Sequence, residues 1–263
     1  MDLKLKNKTA FISGSTQGIG FAIALQLLQE GVKVIINGRT IEKVNSAVNK
    51  LKDLVPNGDV SGIATDFFIP EEVDLLEKQL PELDILINNV GIFEQQSFID
   101  ITNDDWRRFF EINVMSGVRL SRVALPKMIA NNQGRILFIS SESAVNVPEN
   151  MIHYGMTKTA MLSIANGLSK LTKGTEVTVN TVLGGPTYSD GVAETIEQIA
   201  AAQQMTTHQL KSAIIEATNP HSLIQRFIEP TEIANLVTYL CSPLAIATNG
   251  SSLRADGGVL RTI

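Results

Sequence analysis

Short runs of apolar, β-branched residues alternate along this chain with longer segments of helical spacing, and no other feature constrains the fold as strongly. The apolar runs are typical of buried strands and occupy residues 9–12, 32–36, 85–87, 135–139 and 177–180. The helical segments cover residues 19–28, 41–54, 71–80, 106–129 and 154–171. Residues 60–64 and 252–256 are weaker candidate strands. Such alternation favours right-handed crossovers and a parallel sheet, so the sequence predicts a doubly wound α/β fold with helices on both faces.

The composition fits one globular domain. Of 263 residues, 44% are hydrophobic and 19% are charged, and a chain of this length can bury a large core. We therefore expect a single domain over residues 1–263. The net charge of -5 gives no broad attraction to nucleic acid or anionic lipid, and no apolar run approaches the ~20 residues that span a bilayer. Neither nucleic acid nor a membrane is an expected partner.

The cysteine content and the first residues bear on location. Cys241 is the one cysteine of the sequence, so it cannot form an internal disulfide. The chain begins MDLKLK, which lacks the apolar core of a signal peptide. These two features predict a cytoplasmic location.

Residues 184–228 depart from the alternation of strand and helix. This stretch is rich in Ala, Thr and Gln and has helical spacing without a further strand before the next helix. Ligands of open α/β sheets bind beyond the carboxyl ends of the strands, where an inserted helical segment can cover them. We predict a substrate-covering segment, and the alternative is a static helical pair that completes the core or an interface.

A glycine-rich turn follows the first predicted strand, where residues 13–20 read SGSTQGIG. Gly14 would permit a tight turn, Gly18 a close approach of the backbone to a pyrophosphate, and Gly20 close packing of the helix on the strand. The spacing differs from GxGxxG, and three glycines alone are also compatible with a plain structural turn. The position after the first strand predicts a dinucleotide-binding site.

The end of the second predicted strand bears on which dinucleotide binds. NAD-binding proteins usually have an acidic residue there, which accepts hydrogen bonds from the adenosine ribose, whereas this chain has Gly38 followed by Arg39. The glycine removes a carboxylate that would repel a 2′-phosphate, and the guanidinium is suited to binding one. We therefore predict that NADP(H) is preferred. The alternatives are NAD(H) as cofactor and Arg39 as a solvated surface cation.

Tyr154 and Lys158 lie four residues apart at the start of a predicted helix, so they share one face. A tyrosine with a pKa near ~10 is a poor acid–base catalyst at neutral pH, and a neighbouring ammonium group lowers that pKa. Such a tyrosine can donate a proton to a carbonyl oxygen as hydride reaches the carbon, or remove it in the reverse direction. Taken alone, such a pair is more often a surface contact than a catalytic unit.

Two further polar residues favour a catalytic role for Tyr154 and Lys158 over a surface contact. Ser141 follows the strand-like run 135–139, where the carboxyl edge of the sheet is expected, and its hydroxyl can hydrogen-bond a substrate oxygen. Asn113 lies among apolar residues of a predicted helix, where an unpaired polar group is costly. It either caps a local kink or holds water for a proton relay.

The other titratable residues near the pair have plainer interpretations. Glu142 and Glu149 flank the loop before the tyrosine and are candidates for substrate contact. His153 precedes the tyrosine and is a candidate for the pocket wall, but a histidine at a helix start is more often a solvated or capping residue, and this is our interpretation. His208 and His221 are too dispersed to suggest a metal site, so no metal is expected.

Together these motifs resemble the classical short-chain dehydrogenases/reductases over essentially the whole chain. The resemblance is carried by residues 13–20, the NNVG of residues 88–91, Asn113, Ser141 and the YGMTK of residues 154–158. It implies a Rossmann-type fold and a catalytic set in which Tyr154 is the acid–base and Ser141 orients the substrate oxygen. In this set Lys158 lowers the tyrosine pKa and binds the nicotinamide ribose, and Asn113 completes a water-linked relay.

The resemblance also implies which residues bind the cofactor. Asp66 matches an adenine-contacting acid, and Asn89 matches a cofactor-side residue near the same pocket. Thr187 and Ser189 fall where the family contacts the nicotinamide carboxamide. The full implied set is Gly14, Ser15, Gly18, Ile19, Gly20, Arg39, Asp66, Phe67, Asn89, Gly91, Tyr154, Lys158, Thr187 and Ser189.

Departures from the family pattern change side chains near this site. Ser13 stands where the family usually has threonine, and its hydroxyl can still make the hydrogen bond of the turn. Val90 stands for alanine and adds two methyl groups beside the cofactor. Gly184 and Gly185 replace Pro-Gly, which removes a φ restraint and predicts a more mobile covering segment.

The resemblance implies hydride transfer between nicotinamide and a carbonyl or hydroxyl carbon of a small molecule. The alternatives are a catalytically silent NAD(P)-binding redox sensor or scaffold, and an enzyme of this fold that dehydrates or epimerises its substrate. A silent protein does not need Asn113, Ser141, Tyr154 and Lys158 together, so the complete set favours an enzyme. The family also implies a homodimer or homotetramer formed through the helices that contain Asn113 and Tyr154.

Overall fold

The computed structural model describes residues 1–262. Its strands are β1 (Thr9–Ile12), β2 (Lys33–Gly38), β3 (Val60–Ala64), β4 (Ile85–Asn88), β5 (Gly134–Ser141), β6 (Val177–Gly184) and β7 (Ser252–Ala255). Neighbouring strands pair in parallel in the order β3-β2-β1-β4-β5-β6-β7. This is the predicted doubly wound α/β sheet, and the two weaker candidate strands are β3 and β7.

Helices cover both faces of the sheet. They are α1 (Gly18–Gln29), α2 (Ile41–Leu54), α3 (Pro70–Gln79), α4 (Asn103–Phe110), α5 (Ser116–Ala130), α6 (Ile152–Leu171), α7 (Asp190–Ala202), α8 (Thr207–Thr218) and α9 (Pro230–Cys241). One buried apolar layer contains Leu27 of α1, Leu51 of α2 and Val237 of α9. The other contains Leu120 of α5 and Met161 of α6. Over residues 1–262, no helix is long and apolar enough to cross a membrane.

The strand order reverses beside β1. β2 and β3 extend the sheet on one side of β1, and β4 to β7 extend it on the other. The connections after β1 and β4 therefore leave the sheet in opposite directions and open a crevice at its carboxyl edge. Residues of both connections, Gly14 and Asn89 among them, border this crevice.

The predicted helix of residues 106–129 is present, but it is not α-helical throughout. α4 ends at Phe110, one π-helical turn covers Glu111–Met115, and α5 begins at Ser116. The turn contains Asn113, whose side chain hydrogen-bonds the backbone of Ile92 in a different segment. Apolar spacing carries no signal for such a turn, because the distortion depends on a partner far away in the sequence.

Residues 184–228 contain α7 and α8, in agreement with their helical spacing. Five buried apolar residues of this segment form a small cluster separate from the two layers of the sheet, namely Ile196, Ala200, Leu210, Ile215 and Phe227. Ile228, at the end of the segment, packs in the layer that contains Leu27. A helical pair with its own core is thus present at the end of β6. That it covers a substrate remains a prediction.

Candidate active site

The turn between β1 and α1 is a compact backbone cradle. Gly14 and Gly18 both have a φ of 61°, a left-handed conformation that favours glycine. A Cβ on Gly14 would lie 2.8 Å from the Cα of Val90, and a Cβ on Gly20 would lie 2.5 Å from the backbone oxygen of Gly14. Side chains at these positions would push the turn away from its neighbours, so the packing requires the glycines.

Polar side chains hold this turn in place. The Ser13 hydroxyl accepts hydrogen bonds from the backbone N–H groups of Asn89 and Val90, both at 3.0 Å. The serine therefore retains the hydrogen bonding expected of this position. The Asn89 amide donates to the backbone oxygens of Ser13 and Gly14, and Asn37 Oδ1 accepts from the Gly14 N–H at 3.0 Å. These bonds fix the turn to β2 and to the loop after β4.

A cavity of about 460 Å³ lies along the crevice beside this turn. The residues of the implied cofactor set that line it are Gly14, Gly18, Ile19, Arg39, Asp66, Phe67, Asn89, Gly91 and Ser189. The members of the set that the structure does not place on its wall are Ser15, Gly20, Tyr154, Lys158 and Thr187. The Ser15 hydroxyl is buried and donates to the backbone oxygen of Ile12 at 2.6 Å, and the Thr187 hydroxyl donates to that of Gly185 at 2.8 Å.

Sequence reasoning missed several residues of the cavity wall. Lys43 lies in the first turn of α2, four residues after Arg39, and this closeness in the sequence was the available signal. Phe68 also lines the cavity and is 52% exposed, next to Phe67, which is buried in the core. Arg108 reaches the cavity from α4, and no local pattern connects it to the glycine turn.

The end of β2 shapes one end of this cavity. A Cβ on Gly38 would collide with Cγ2 of Thr16. The structure therefore has no room at this position for the carboxylate with which NAD-binding proteins hold the adenosine ribose. Arg39 and Lys43 line the cavity beside it, so this end combines two cationic side chains with a position where packing excludes an acid.

Ser141, Tyr154 and Lys158 come together at the carboxyl edge of the sheet. Ser141 is the last residue of β5, and α6 carries Tyr154 in its first turn and Lys158 one turn later. The Lys158 ammonium lies 5.5 Å from the centre of the tyrosine ring and donates to the backbone oxygen of Ile139 at 3.0 Å. A Cβ on Gly91 of the cavity wall would lie 3.3 Å from Lys158 Nζ. Lys158 thus lies next to one residue of the cavity wall, and Tyr154 packs against another, Phe93, with 6.4 Å between the ring centres. Neither side chain, nor that of Ser141, lines the cavity itself.

Burial governs the protonation of this pair. It raises the pKa of the Tyr154 phenol above its ordinary value, the nearby Glu142 carboxyl adds to the rise, and the Ser141 hydroxyl partly offsets it. Burial lowers the pKa of Lys158 to about 8, and Glu142 opposes that shift. The structure thus differs from the expectation that the ammonium lowers the tyrosine pKa, because desolvation of the phenol dominates. Tyr154 is neutral here, the form that can donate a proton.

Asn113 joins three segments of the chain. It is fully buried, and its Nδ2 donates to the backbone oxygen of Ile92 and to the Thr157 hydroxyl, both at 3.0 Å. Its Oδ1 accepts from the Ile92 N–H at 2.8 Å. The side chain therefore holds the π-helical turn against the loop after β4 and against α6. Of the two interpretations of Asn113, the structure thus agrees with a role at a local helix distortion. A role in a water-linked proton relay remains a prediction.

His153 is fully buried, so its interpretation as a solvated or capping residue is wrong. Its ring centre lies 4.0 Å from that of Phe109 and 6.1 Å from that of Trp106. Within residues 1–262, neither ring nitrogen has a hydrogen-bond partner. Burial lowers the pKa of this imidazole below its ordinary value. The ring is therefore a neutral packing element directly before Tyr154.

The segment that leaves β6 reaches the glycine turn. Asp190, the first residue of α7, accepts a hydrogen bond from the Gly18 N–H at 2.6 Å. A Cβ on Gly18 would lie 3.4 Å from the Cβ of Ser189. Sequence reasoning did not identify Asp190, because the two partners are 172 positions apart.

These residues fit a nicotinamide dinucleotide. The N-terminus of α1 follows the glycine cradle and provides backbone N–H groups suited to a pyrophosphate. The cations of the β2 end suit a further phosphate on the adenosine. At another part of the wall, Lys158 lies directly behind Gly91. The site therefore combines an anion cradle with a neutral tyrosine that can serve as an acid.

Comparisons with known proteins agree with this geometry. A model of the short chain dehydrogenase family matches residues 8–200. The Bacillus subtilis (strain 168) protein named uncharacterized oxidoreductase YvaG is 46% identical over 263 residues, which cover 100% of both chains. The 7alpha-hydroxysteroid dehydrogenase of Escherichia coli (strain K12) is 29% identical over 261 residues, which cover 98% of this chain and 96% of that protein.

A solved structure matches over the full length. L-Sorbose reductase from Gluconobacter frateurii, complexed with NADPH and L-sorbose, has a TM-score of 0.93 and 28% sequence identity, with 100% of both chains covered. The family match spans the glycine turn, Ser141, Tyr154 and Lys158. The chain belongs to the short-chain dehydrogenase/reductase family and is an NAD(P)-dependent oxidoreductase.

Proposed function

We propose that this protein is an NADP(H)-dependent carbonyl reductase or alcohol dehydrogenase for a small molecule, with Tyr154 as its acid–base residue. The observation that carries the proposal is the grouping of Tyr154, Ser141 and Lys158, with Lys158 next to Gly91 of a cavity wall whose glycine cradle fits a dinucleotide. A protein that only sensed the nucleotide would have no need of this acid–base group.

The residues have separate tasks in the proposed reaction. A bound nicotinamide cofactor supplies or accepts the hydride. In the direction of reduction, the neutral Tyr154 phenol donates its proton to the carbonyl oxygen of the substrate, and the Ser141 hydroxyl hydrogen-bonds the same oxygen. The Lys158 ammonium stabilises the phenolate that remains. In the direction of oxidation, the same tyrosine takes the proton back from the alcohol.

The preference for NADP(H) rests on the end of β2. Thr16 excludes a side chain at Gly38, and Arg39 and Lys43 both line the cavity there. A guanidinium and an ammonium favour a 2′-phosphate over a bare ribose hydroxyl, because charge-assisted hydrogen bonds are stronger than neutral ones. NAD(H) lacks this phosphate and would gain nothing from either cation.

A carbonyl screen with a matched variant tests the reaction. NADPH oxidation is followed with a panel of ketones and aldehydes that includes L-sorbose and an oxosteroid, the substrate classes named for the compared proteins. Tyr154→Phe is expected to lower kcat by about 10²- to 10⁴-fold while NADPH binding, measured by fluorescence, is retained. The control Tyr239→Phe changes a partly exposed tyrosine of α9 and should leave kcat unchanged. Equal rates for Tyr154→Phe and the unmodified protein would overturn the proposal.

Cofactor preference is tested with the cations of the cavity. Arg39→Ser is expected to raise the KM for NADPH about tenfold or more, since a hydrogen bond to a charged group contributes about 1.5–3 kcal/mol, and to leave the KM for NADH nearly constant. Lys43→Ser should act in the same direction. Lys52→Ser, in the last turn of the same helix, is the control. A clear preference of the unmodified protein for NADH would refute this part of the proposal.

We also infer a homodimer or homotetramer. α5 and α6 enclose an apolar surface groove of about 280 Å³, lined by Val118, Leu125, Pro126, Ile164, Leu168 and Leu171 among others. Exposed apolar grooves of this kind are typical of association surfaces, and the groove lies on the helices expected to mediate assembly. Light scattering of the unmodified protein should give a multiple of 28.6 kDa, and Leu171→Glu should reduce the mass. A monomeric mass for the unmodified protein would contradict the assembly and leave the chemistry untouched.

A further inference from the structure

Glu142 follows the serine of the catalytic set and makes direct contact with it. The two residues meet where β5 ends and a short 3₁₀ turn, Glu142–Ala144, begins. Ser141 Oγ and Glu142 Oε2 are hydrogen-bonded at 2.5 Å. The backbone N–H of Ser143 donates to the same Oγ at 3.1 Å. These are the two hydrogen-bond partners of the serine hydroxyl besides Tyr154, whose pKa the same hydroxyl lowers.

A count of donors and acceptors limits what this serine can do. A hydroxyl has one hydrogen to donate and two lone pairs to accept with, and the Ser143 N–H occupies one of these lone pairs. An ionised Glu142 can only accept, so it would take the single hydrogen of Ser141. The serine would then have no hydrogen left for the substrate oxygen, which the proposed reaction requires.

The protonated carboxyl removes this conflict. A carboxylic acid can donate, so Glu142 Oε2–H would donate to the second lone pair of Ser141 Oγ across the same 2.5 Å contact. With both lone pairs occupied, the serine hydrogen is free to point away from both partners and toward the substrate oxygen. The same heavy-atom geometry therefore has an active and an inactive arrangement, which differ in the position of protons.

We propose that Glu142 is a positioning residue that acts in its carboxylic-acid form, donating to Ser141 so that the serine hydroxyl is available to the substrate oxygen. This inference rests on the proposed function, because it concerns the hydrogen bond that Ser141 makes in that reaction. Glu142 does not exchange a proton with the substrate. It determines where the proton of its neighbour points.

The surroundings of Glu142 favour the protonated form. Burial raises the pKa of this carboxyl, and the Asp256 carboxylate that follows β7 acts in the same direction, while hydrogen bonds from Ser141 and nearby backbone groups oppose the rise. From α6 it faces the neutral Tyr154 and the Lys158 ammonium. The ammonium favours ionisation, so the protonated form depends on desolvation and on Asp256.

The inference has a defined pH dependence. Glu142 donates below its own pKa and accepts above it, so ketone reduction should fall as the pH rises through that value. A second fall is expected near pH 8, where Lys158 loses its proton. Glu142→Gln cannot ionise and retains an N–H that can donate to Ser141, so this variant should lose the first fall and keep the second.

The pH profile of kcat for ketone reduction is therefore measured for three variants and the unmodified protein. Glu142→Gln should match the unmodified protein at the low-pH plateau and exceed it at higher pH. Glu142→Leu has no donor and should lower the plateau roughly ten- to hundredfold through loss of orientation, which the glutamine rescues. Glu71→Gln, which changes an exposed acid in the first turn of α3, is the control and should reproduce the unmodified profile. A Glu142→Gln profile identical to the unmodified one would overturn the inference, as would inactivity of this variant at every pH.

Infrared spectroscopy supplies a readout that does not depend on turnover. A carbonyl stretch of a protonated carboxyl group should be present at the pH of the low-pH plateau, titrate with the first fall in kcat, and be missing in Glu142→Gln. A spectrum of the unmodified protein that matches that of Glu142→Gln at this pH would overturn the inference. If Tyr154→Phe is inactive while the Glu142→Gln profile is unchanged, the proposed function stands and the inference alone fails. If the unmodified protein reduces no carbonyl, the proposed function fails and the inference fails with it.

Discussion

The catalytic surface and the segment of residues 184–228 are held by different parts of the core. Ser141 ends a strand whose residues are all buried, and Lys158 lies on a helix packed into one of the two layers that cover the sheet. The helices α7 and α8 instead bury their apolar residues mainly against one another and against Phe227. The reacting groups are therefore fixed by the whole sheet, whereas the segment near them has a small core of its own. Loss of that small core should leave the catalytic geometry in place.

Few contacts connect the two regions at the cofactor cavity. Asp190 hydrogen-bonds Gly18 and Ser189 packs near the same glycine, while Thr187 pairs with Ile228 within the segment. The far end of the segment is held more firmly, because Leu223 and Ile224 donate to the backbone oxygen of Gly257 and Ile228 packs in a layer of the sheet. Local opening is therefore expected in α7 and α8 and not in the whole segment. This difference predicts that changes on the catalytic surface alter the reaction itself, and that changes in the segment alter binding and local opening.

The largest effect is expected for Lys158→Met. Methionine preserves the length of the side chain and removes the charge that stabilises the phenolate, so kcat should fall about 100-fold or more. The fold should persist, because the buried ammonium makes one backbone hydrogen bond, to Ile139. Steady-state kinetics together with circular dichroism measure both quantities. Lys170→Met, at the exposed end of the same helix, is the control, and a comparable loss in that variant would show that the effect is not specific to the site.

A pair of cavity-forming substitutions tests the separate cores. Leu27→Ala removes a fully buried side chain from the sheet layer and should destabilise the whole protein by about 2–5 kcal/mol. Ile215→Ala removes one from the small cluster and should increase hydrogen exchange mainly within α7 and α8, with less effect on global unfolding. Hydrogen-exchange mass spectrometry and urea denaturation distinguish the two. Equal opening of β5 in both variants would show that the segment and the sheet unfold as one unit.

The sequence predicted the sheet well for a physical reason. Buried parallel strands must be nearly continuous apolar runs, and this requirement is local, so residues 85–87 and 135–139 could be recognised within single windows. The distortion between α4 and α5 could not be recognised in this way. Its π-helical turn depends on the hydrogen bonds between Asn113 and Ile92, which lie 21 positions apart. The glycines of the turn are an intermediate case. Their spacing can be read from a short stretch of sequence, but the contact that requires Gly14 is made with Val90, which is distant in the sequence.

The same distinction separates the site residues that sequence reasoning found from those it missed. Tyr154 and Lys158 were found because helical spacing places them together. Asp190 and Arg108 reach the cavity through tertiary packing and were missed. The protonation of Tyr154 was also beyond sequence reasoning, because the desolvation that raises its pKa depends on everything packed around it.

Asp190→Asn tests the contact between the two regions. The carboxylate accepts from the Gly18 N–H, a group suited to a pyrophosphate, so it competes with the cofactor and repels its charge. Asparagine keeps an oxygen acceptor without the charge, and the Kd for NADPH should fall about three- to tenfold, corresponding to the ~1 kcal/mol of one charge near a helix N-terminus. Fluorescence titration measures it, with Glu194→Gln on the same helix as control. Weaker binding by Asp190→Asn would show that the carboxylate supports the bound state.

The pH dependence of stability offers a further test of the difference between the two regions. His153 belongs to the catalytic surface, because it lies directly before Tyr154 on α6. Burial lowers its pKa in the folded protein, Arg108 adds to the shift, and Glu94 and Asp105 oppose it. The unfolded chain therefore binds a proton that the folded protein excludes, so this contribution to stability is complete above the unfolded pKa of about 6.5 and is lost as the pH falls below it. His153→Phe removes the titrating group and retains the packing on Phe109.

The Tm of the unmodified protein should accordingly decrease more than that of His153→Phe between pH 7.5 and pH 5.5. An excess of about 2 °C corresponds to roughly 1 kcal/mol for a chain of this length. His208→Phe, at an exposed position of α8, should retain the full pH dependence. An identical decrease in His153→Phe and the unmodified protein would assign the acid sensitivity to other groups. If His208→Phe lost the decrease in Tm and His153→Phe retained it, protonation of His208 would be the event that opposes folding. The acid sensitivity would then belong to the segment of α7 and α8.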